Sequence, residues 1–225
     1  MREHPQIAID GPAGSGKSTI GERLARRLGY LYVDTGALYR ALTVVALERH
    51  IAPQDVAGLG ELAELTRFEV LPPTQNDGRQ YTVLVDGRDV TPELRSPAVE
   101  AAVPLTSSHP RVRHAMLARQ RALADSRGVV MVGRDIGTVV LPDADLKIYL
   151  IVAVEERARR RHHDLLAQLG ATAPSFDSVC AEMALRDDLD AGKMRPAADA
   201  VRIHTDDLQA DDVVERILEM VGLLA

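Results

Sequence analysis

Short apolar runs rich in β-branched residues alternate along the chain with longer stretches of helical periodicity. That alternation predicts β-α units and an α/β fold with a parallel sheet covered by helices on both faces. Five runs read as its strands: Ile7 to Asp10, Leu31 to Val33, Val129 to Val132, Leu146 to Val152 and Ala200 to Ile203. After the first, Ile20, Leu24 and Leu28 recur at i, i+4 and i+8, and Gly29 supplies the residue a left-handed helix stop favours. Near the C-terminus Val213, Val214, Ile217, Leu218 and Val221 form one apolar stripe. Asp212 with Glu215 reads as a capping box at its start.

Two segments break the alternation. Between Thr66 and Pro110, Arg67 to Leu71 and Tyr81 to Val85 are extended runs flanking Pro72-Pro73 and Asn76-Asp77-Gly78. This predicts a hairpin, placed as a small antiparallel insertion outside the main sheet. From His162 to Pro174 the pattern breaks again between two helices, with Gly170 and Pro174 marking a mobile surface segment.

At 225 residues the chain has the length of one domain with insertions, enough to bury about 70% of its unfolded surface. The longest apolar run, Ile148 to Val154, falls far short of the ~20 residues of a membrane span. The start, Met1 to His4 leading straight into Ile7, lacks the apolar stretch of a secretion signal. One cysteine, Cys180, forms no intrachain disulfide and reads as a small buried hydrophobe. The expectation is a cytoplasmic protein with no membrane partner. A net charge of -6 and the absence of Trp argue against nucleic acid, whose recognition rests on phosphate neutralisation and base stacking. Basic residues concentrate locally, at Arg157, Arg159, Arg160 and Arg161 and at Arg111, Arg113, Arg119 and Arg121, which suits a small polyanion.

Gly11-Pro12-Ala13-Gly14-Ser15-Gly16-Lys17-Ser18 matches G-x-x-x-x-G-K-[ST] and sits between an apolar strand and an amphipathic helix, as that motif requires. Its glycines let successive backbone N–H groups converge on a polyphosphate, and the helix N-terminus adds partial positive charge. Lys17 is placed for the β and γ phosphates, and the Ser18 hydroxyl for Mg²⁺.

Asn76, in the hairpin turn, is the chain's one asparagine, which removes a guanine-reading Asn-Lys-x-Asp element and a protein-kinase catalytic loop. The third strand runs into Gly133-Arg134-Asp135-Ile136-Gly137-Thr138, where an Arg at the C-terminal end of a strand points into the ligand crevice of such sheets. Thr35, after the second strand, is placed to cap the next helix, with Arg40 little more than a turn along, so this N-terminus suits a phosphate. Arg186, Asp190 and Lys193 share one helix face at i, i+4 and i+7. A phosphate loop plus a separate set of inward arginines implies two anionic substrates. The rivals are a kinase for UMP, AMP or shikimate, and a non-enzymatic nucleotide switch, which needs no second arginine set.

The chain resembles the bacterial cytidylate kinases, a branch of the nucleoside monophosphate kinases, almost end to end. The resemblance is carried by Ile9-Asp10-Gly11-Pro12, Asp34-Thr35-Gly36-Ala37-Leu38-Tyr39-Arg40, Pro110-Arg111-Val112-Arg113, Gly133 to Val140, Pro142-Asp143-Ala144, Glu156 to Arg161, Arg186-Asp187-Asp188 with Asp190, and Ala198-Asp199-Ala200. It implies a P-loop fold with core 1–34, 128–156 and 175–225, a monophosphate-binding segment 35–127 with its insertion near 66–110, and a lid near 157–174. It implies ATP and Mg²⁺-dependent phosphorylation of CMP and dCMP by a protein expected to act as a monomer. ATP would lie on Gly11, Pro12, Ala13, Gly14, Ser15, Gly16, Lys17, Ser18 and Thr19, with Arg157, Arg160 and Arg161 closing from the lid. Thr35, Arg40 and Arg134 would hold the CMP phosphate, Arg113 and Asp135 the cytosine, and Arg186 with Asp190 the sugar. Lys17, Arg134 and Arg160 would carry the catalysis. Two positions depart from the family pattern: Pro104 stands where a Ser commonly touches the cytosine, and Lys193 where an Arg is common. A proline offers no side-chain hydrogen bond, and a lysine loses bidentate geometry.

Overall fold

The chain opens with β1 (Gln6–Asp10), a strand buried along its whole length because sheet and helices cover both of its faces. The computed structural model describes residues 5–125, 128–192 and 194–223. Next come α1 (Lys17–Leu28), β2 (Leu31–Asp34), α2 (Thr35–Glu48) and α3 (Val56–Leu65). Then follow β3 (Phe68–Leu71), β4 (Thr82–Val85), β5 (Arg88–Asp89), α4 (Pro97–Thr106) and α5 (Pro110–Ala124). The chain closes with β6 (Val129–Gly133), β7 (Leu146–Ile151), α6 (Val154–Leu169), α7 (Phe176–Asp190), β8 (Val201–His204) and α8 (Ala210–Gly222). The five-stranded sheet has the order β2-β6-β1-β7-β8, with β7 parallel to both β1 and β8. All five expected strands form, with ends displaced by about a residue. Among the described residues no helix is long and apolar enough to cross a membrane.

The chain divides into two compact units, one running to Leu28 and resuming at Val130, the other Gly29–Val129. In the first, Ile7, Ile9, Leu24, Met131, Ile148, Leu150 and Ile203 are fully buried. α1 buries Ile20, Leu24 and Ala25, and its opposite side meets α8 through the exposed pairs Arg23–Asp211 and Arg27–Glu215. α8 begins a turn earlier than the stripe suggested. Gln209 is its cap and Asp212 is the third helical residue, whose carboxylate accepts from the Gln209 N–H at 3.1 Å, so the box is Gln209 with Asp212, not Asp212 with Glu215.

In the second unit Leu38, Leu42, Leu59 and Met116 form the buried centre. The insertion is antiparallel and separate from the main sheet, as expected, with Phe68 opposite Val85 and Leu71 opposite Thr82. Asn76-Asp77-Gly78 lies inside a long connection, residues 72–81, instead of forming the tight turn. The tight turn is Asp86-Gly87, both in the left-handed region (φ 50° and 83°), and it adds the short third strand β5.

The break expected over His162 to Pro174 is much shorter. α6 continues through His162 and His163 to Leu169, and the helical pattern yields only at Gly170 (φ 56°), followed by one 3₁₀ turn, Gly170–Thr172. No glycine or proline interrupts residues 162–169, so nothing there opposes the helix.

Candidate active site

The phosphate loop joins β1 to α1. Gly14 and Gly16 take φ 73° and 87°, a region that side chains rarely adopt, and a Cβ on Gly14 would stand 3.1 Å from Met183 Cε. The Gly16 carbonyl accepts from the Ile20 N–H at 2.9 Å and so opens α1. Lys17, 8% exposed, turns its ammonium back over the loop, donating to the Pro12 carbonyl at 2.6 Å and the Ser15 hydroxyl at 3.3 Å. Ser18 and Thr19, half-buried, complete the first turn. The loop therefore sets the helix N-terminus, hydroxyls and one ammonium side by side.

Around it in the same unit stand the residues expected from β6 onward. Arg134, just past the end of β6, donates from Nε to Asp190 at 2.9 Å and from Nη1 to the Gly11 carbonyl at 3.2 Å. Arg134, Asp190 and the phosphate loop are thus brought together. Asp135 is buried at the start of a single π turn, Ile136–Val140, a feature that often marks functional sites. Arg186 lies exposed on α7, one turn before Asp190, and Lys193 lies outside the described residues.

The three arginines of α6 are not alike. Arg157, 3% exposed, donates to the Ala13 carbonyl at 3.0 Å and makes a two-pronged pair with Asp187 on α7. Arg160, half-buried, holds Glu156 at 2.9 Å and the Thr205 carbonyl at 2.6 Å. Arg161 is exposed. Asp187 enters the sequence reading only as part of a motif and without a role, since its pairing spans thirty positions that no periodicity connects. Asp10 was likewise not assigned a role, although a carboxylate closing an otherwise apolar strand is a signal. Its oxygens accept from the N–H groups of Ile136 and Gly137 at 2.7 and 2.8 Å.

In the second unit, the α2 N-terminus carries the other candidates. Thr35 does not cap the helix. Asp34 does, accepting from the Gly36 N–H at 2.9 Å, while Thr35 is the first helical residue and buried. Both residue types cap well, and the one with extended backbone takes the position. Arg40 reaches back over this end: a Cβ on Gly36 would stand 2.9 Å from its Nη1. Its Nε donates to Glu100 at 2.9 Å, and the same oxygen takes Arg95 Nη1 at 3.4 Å. Tyr81 lies close by, its hydroxyl pushed up to about 12 by burial and by the Asp34 charge. Arg113 is half-buried on α5, and Pro104 is exposed inside α4.

Among the described residues no three His, Cys, Asp or Glu side chains gather to cage a metal. The Ser18 hydroxyl, in the first turn of α1, would suit a phosphate-bound Mg²⁺, an ion that needs few protein ligands.

A parallel sheet whose first strand delivers a glycine-rich loop and a buried lysine onto a helix N-terminus defines the P-loop class of nucleotide-binding proteins. The fold agrees with solved structures of a shikimate kinase from Bacteroides thetaiotaomicron (TM-score 0.50, 14% identity, covering 97% of this chain and 98% of that one) and a gluconokinase from Sinorhizobium meliloti (0.50, 16%, 100% and 95%). The family model for cytidylate kinase matches residues 7–222. The cytidylate kinase of Herpetosiphon aurantiacus is 50% identical over 97% of this chain and 95% of its own length, and that of Geobacillus sp. strain WCH70 is 47% identical over 99% and 98%. The chain belongs to the cytidylate kinase family.

Proposed function

We propose that the protein transfers the γ-phosphoryl group of ATP to CMP, and to dCMP, giving the diphosphates. The observation that carries this reading is the presence of two helix N-termini each supplied with its own cation, α1 with Lys17 and α2 with Arg40. A nucleotide switch has use for one. The division that goes with it is a core of 1–34, 128–156 and 175–225, an acceptor-binding segment of 35–127 and a lid of 157–174. The work is that of a cytoplasmic monomer acting on small molecules.

Transfer of this kind needs no protein nucleophile; it needs aligned reactants and placed charge. Residues 11–19 hold the triphosphate by backbone N–H groups and hydroxyls. Lys17 exchanges its loop carbonyl for phosphate oxygens, where its charge meets what accumulates during transfer. Mg²⁺, held by the phosphates and the Ser18 hydroxyl, would neutralise charge on the donor. Thr35, Arg40 and Arg134 hold the acceptor phosphate, and Arg186 with Asp190 the sugar. Arg157, Arg160 and Arg161 close over ATP. Arg113 donates to the cytosine ring acceptors while Asp135 accepts from its exocyclic amine, where uracil presents a carbonyl acceptor instead. An unmet buried polar group costs about 1–3 kcal/mol, so UMP should be poorer by roughly ten- to a hundredfold. A coupled assay with ATP and each monophosphate in turn tests this: CMP and dCMP should lead, and equal kcat/KM for CMP, UMP and AMP would refute it.

A further inference from the structure

We propose that Asp10 is a positioning residue that ties the donor-phosphate loop to Arg134 and Asp135, so that the acceptor's base and phosphate contacts are registered on the same strand end that carries the loop. The inference rests on the proposed reading of those two residues as CMP contacts.

Asp10 is the last residue of β1 and only 3% exposed. Its carboxylate is turned toward the π turn that follows β6. One carboxylate oxygen accepts from the Ile136 N–H at 2.7 Å, the other from the Gly137 N–H at 2.8 Å. These are the first two N–H groups of the π turn, positions with no partner inside their own turn. A carboxylate that takes both makes two charge-assisted bonds in a site nearly free of water. One residue on, the Gly11 carbonyl accepts from Arg134. Three bonds therefore lace Asp10-Gly11 to Arg134-Gly137.

Asp135 sits in the middle of this lacing. Its carbonyl accepts from Val139 at 2.9 Å and Val140 at 3.2 Å, so the turn holds it from behind while Asp10 holds the two residues in front. The direction of its side chain is thereby fixed by a group on another strand. Gly137 is packed against the same carboxylate: a Cβ there would stand 3.4 Å from the Asp10 oxygen, in ordinary contact, and 3.3 Å from Lys147 Cδ. Burial, with the Asp135 charge nearby, pushes the Asp10 carboxyl above its ordinary value, against the pull of the two N–H groups and of Lys17. A buried carboxylate is costly once its donors leave, which discourages the two strand ends from parting.

Asp10→Asn removes one acceptor and faces an amide NH₂ toward a backbone N–H, while changing little in volume. It should lower kcat/KM for CMP by about tenfold or more and shrink the preference for CMP over UMP by a similar factor, the scale of one misplaced buried contact. ATP binding, measured by calorimetry without acceptor, should change by less than about threefold, because none of the three bonds is made by the loop's N–H groups or Lys17. Asp10→Glu, which keeps the charge and both acceptor oxygens but displaces them by one methylene, should move the preference in the same direction and serves if the first variant unfolds. Asp135→Asn is the reference. A preference lost there but kept in both other variants, or ATP affinity falling in step with CMP, overturns the positioning role and leaves the base assignment standing. An unchanged preference in Asp135→Asn overturns the base assignment, and this coupling with it.

Discussion

Single side chains divide the loop's work between holding and reacting. Lys17 rests on a carbonyl and a hydroxyl of its own loop, which a neutral side chain can release without burying a charge, whereas its ammonium is the cation at the start of the helix that the loop opens. Lys17→Met should fold normally by circular dichroism and lose roughly 10²-fold or more in kcat, the scale of removing one placed electrostatic group. Near-normal turnover in the folded variant would remove the loop from the mechanism. Arg157 is the opposite case. Its guanidinium is buried between Asp187 and the Ala13 carbonyl, and losing either partner leaves the other uncompensated. Asp187→Ala should cost about 2–3 kcal/mol in urea unfolding, the lower side of what breaking a buried pair costs because Asp187 is partly exposed. The double variant Asp187→Ala with Arg157→Met should recover part of that loss. Additive losses would mean the pair is not coupled.

At the scale of elements, the insertion sheet depends on charge. Arg79 is clamped by Asp77 at 2.6 Å and Asp89 at 2.6 Å, joining the long 72–81 connection to β5. The Arg79 hydrogen bonds hold the Asp77 carboxyl below its ordinary value. For Asp89, desolvation pushes upward, and hydrogen bonds from Thr91 and Arg79 outweigh it. Because both folded values lie below the unfolded one, this stabilisation is present above about pH 4 and is lost as pH falls through the folded values. The melting temperature should therefore fall as pH drops below about 4, and Arg79→Gln should flatten that slope. An equal slope in the variant would place the acid sensitivity elsewhere.

The α6–α7 hairpin tells how far the sequence carried. The central strands were legible because β1 and β6 are continuous apolar runs buried almost throughout, and the phosphate loop because backbone chemistry dictates its glycines. The extent of α6 is not legible in the sequence: His162 and His163 look like an interruption, yet only Gly170 ends the helix. The choice between Asp34 and Thr35 as cap turned on backbone angles that composition does not contain. β5 is two residues long, too short to leave a period. Arg157–Asp187, Arg40–Glu100 and Asp10 with Ile136 join distant stretches and become visible only when the chain is folded. As a lid, the segment should still show its role. Arg160→Ala should lower kcat more than it weakens CMP binding, and amide exchange over residues 157–174 should slow with ATP and CMP together. Unchanged exchange and normal turnover would leave it a plain helical hairpin.

At the scale of the molecule, binding and folding are linked. A ligand that binds only the native state at a hundred times its Kd adds about 2.7 kcal/mol of stability. CMP and a non-hydrolysable ATP analogue should each raise the melting temperature, CMP more than UMP at equal concentration. Equal shifts for the two pyrimidines would contradict the base assignment from a direction independent of turnover. The small apolar cluster where α6 meets α7, Ala158, Val179 and Met183, has Cys180 packed at its edge, and the chain holds no second cysteine. That solitary, half-buried sulfur gives the native sequence its own reporter: with no competing target to engineer away, the rate at which a thiol reagent labels it reads how tightly those two helices pack in solution.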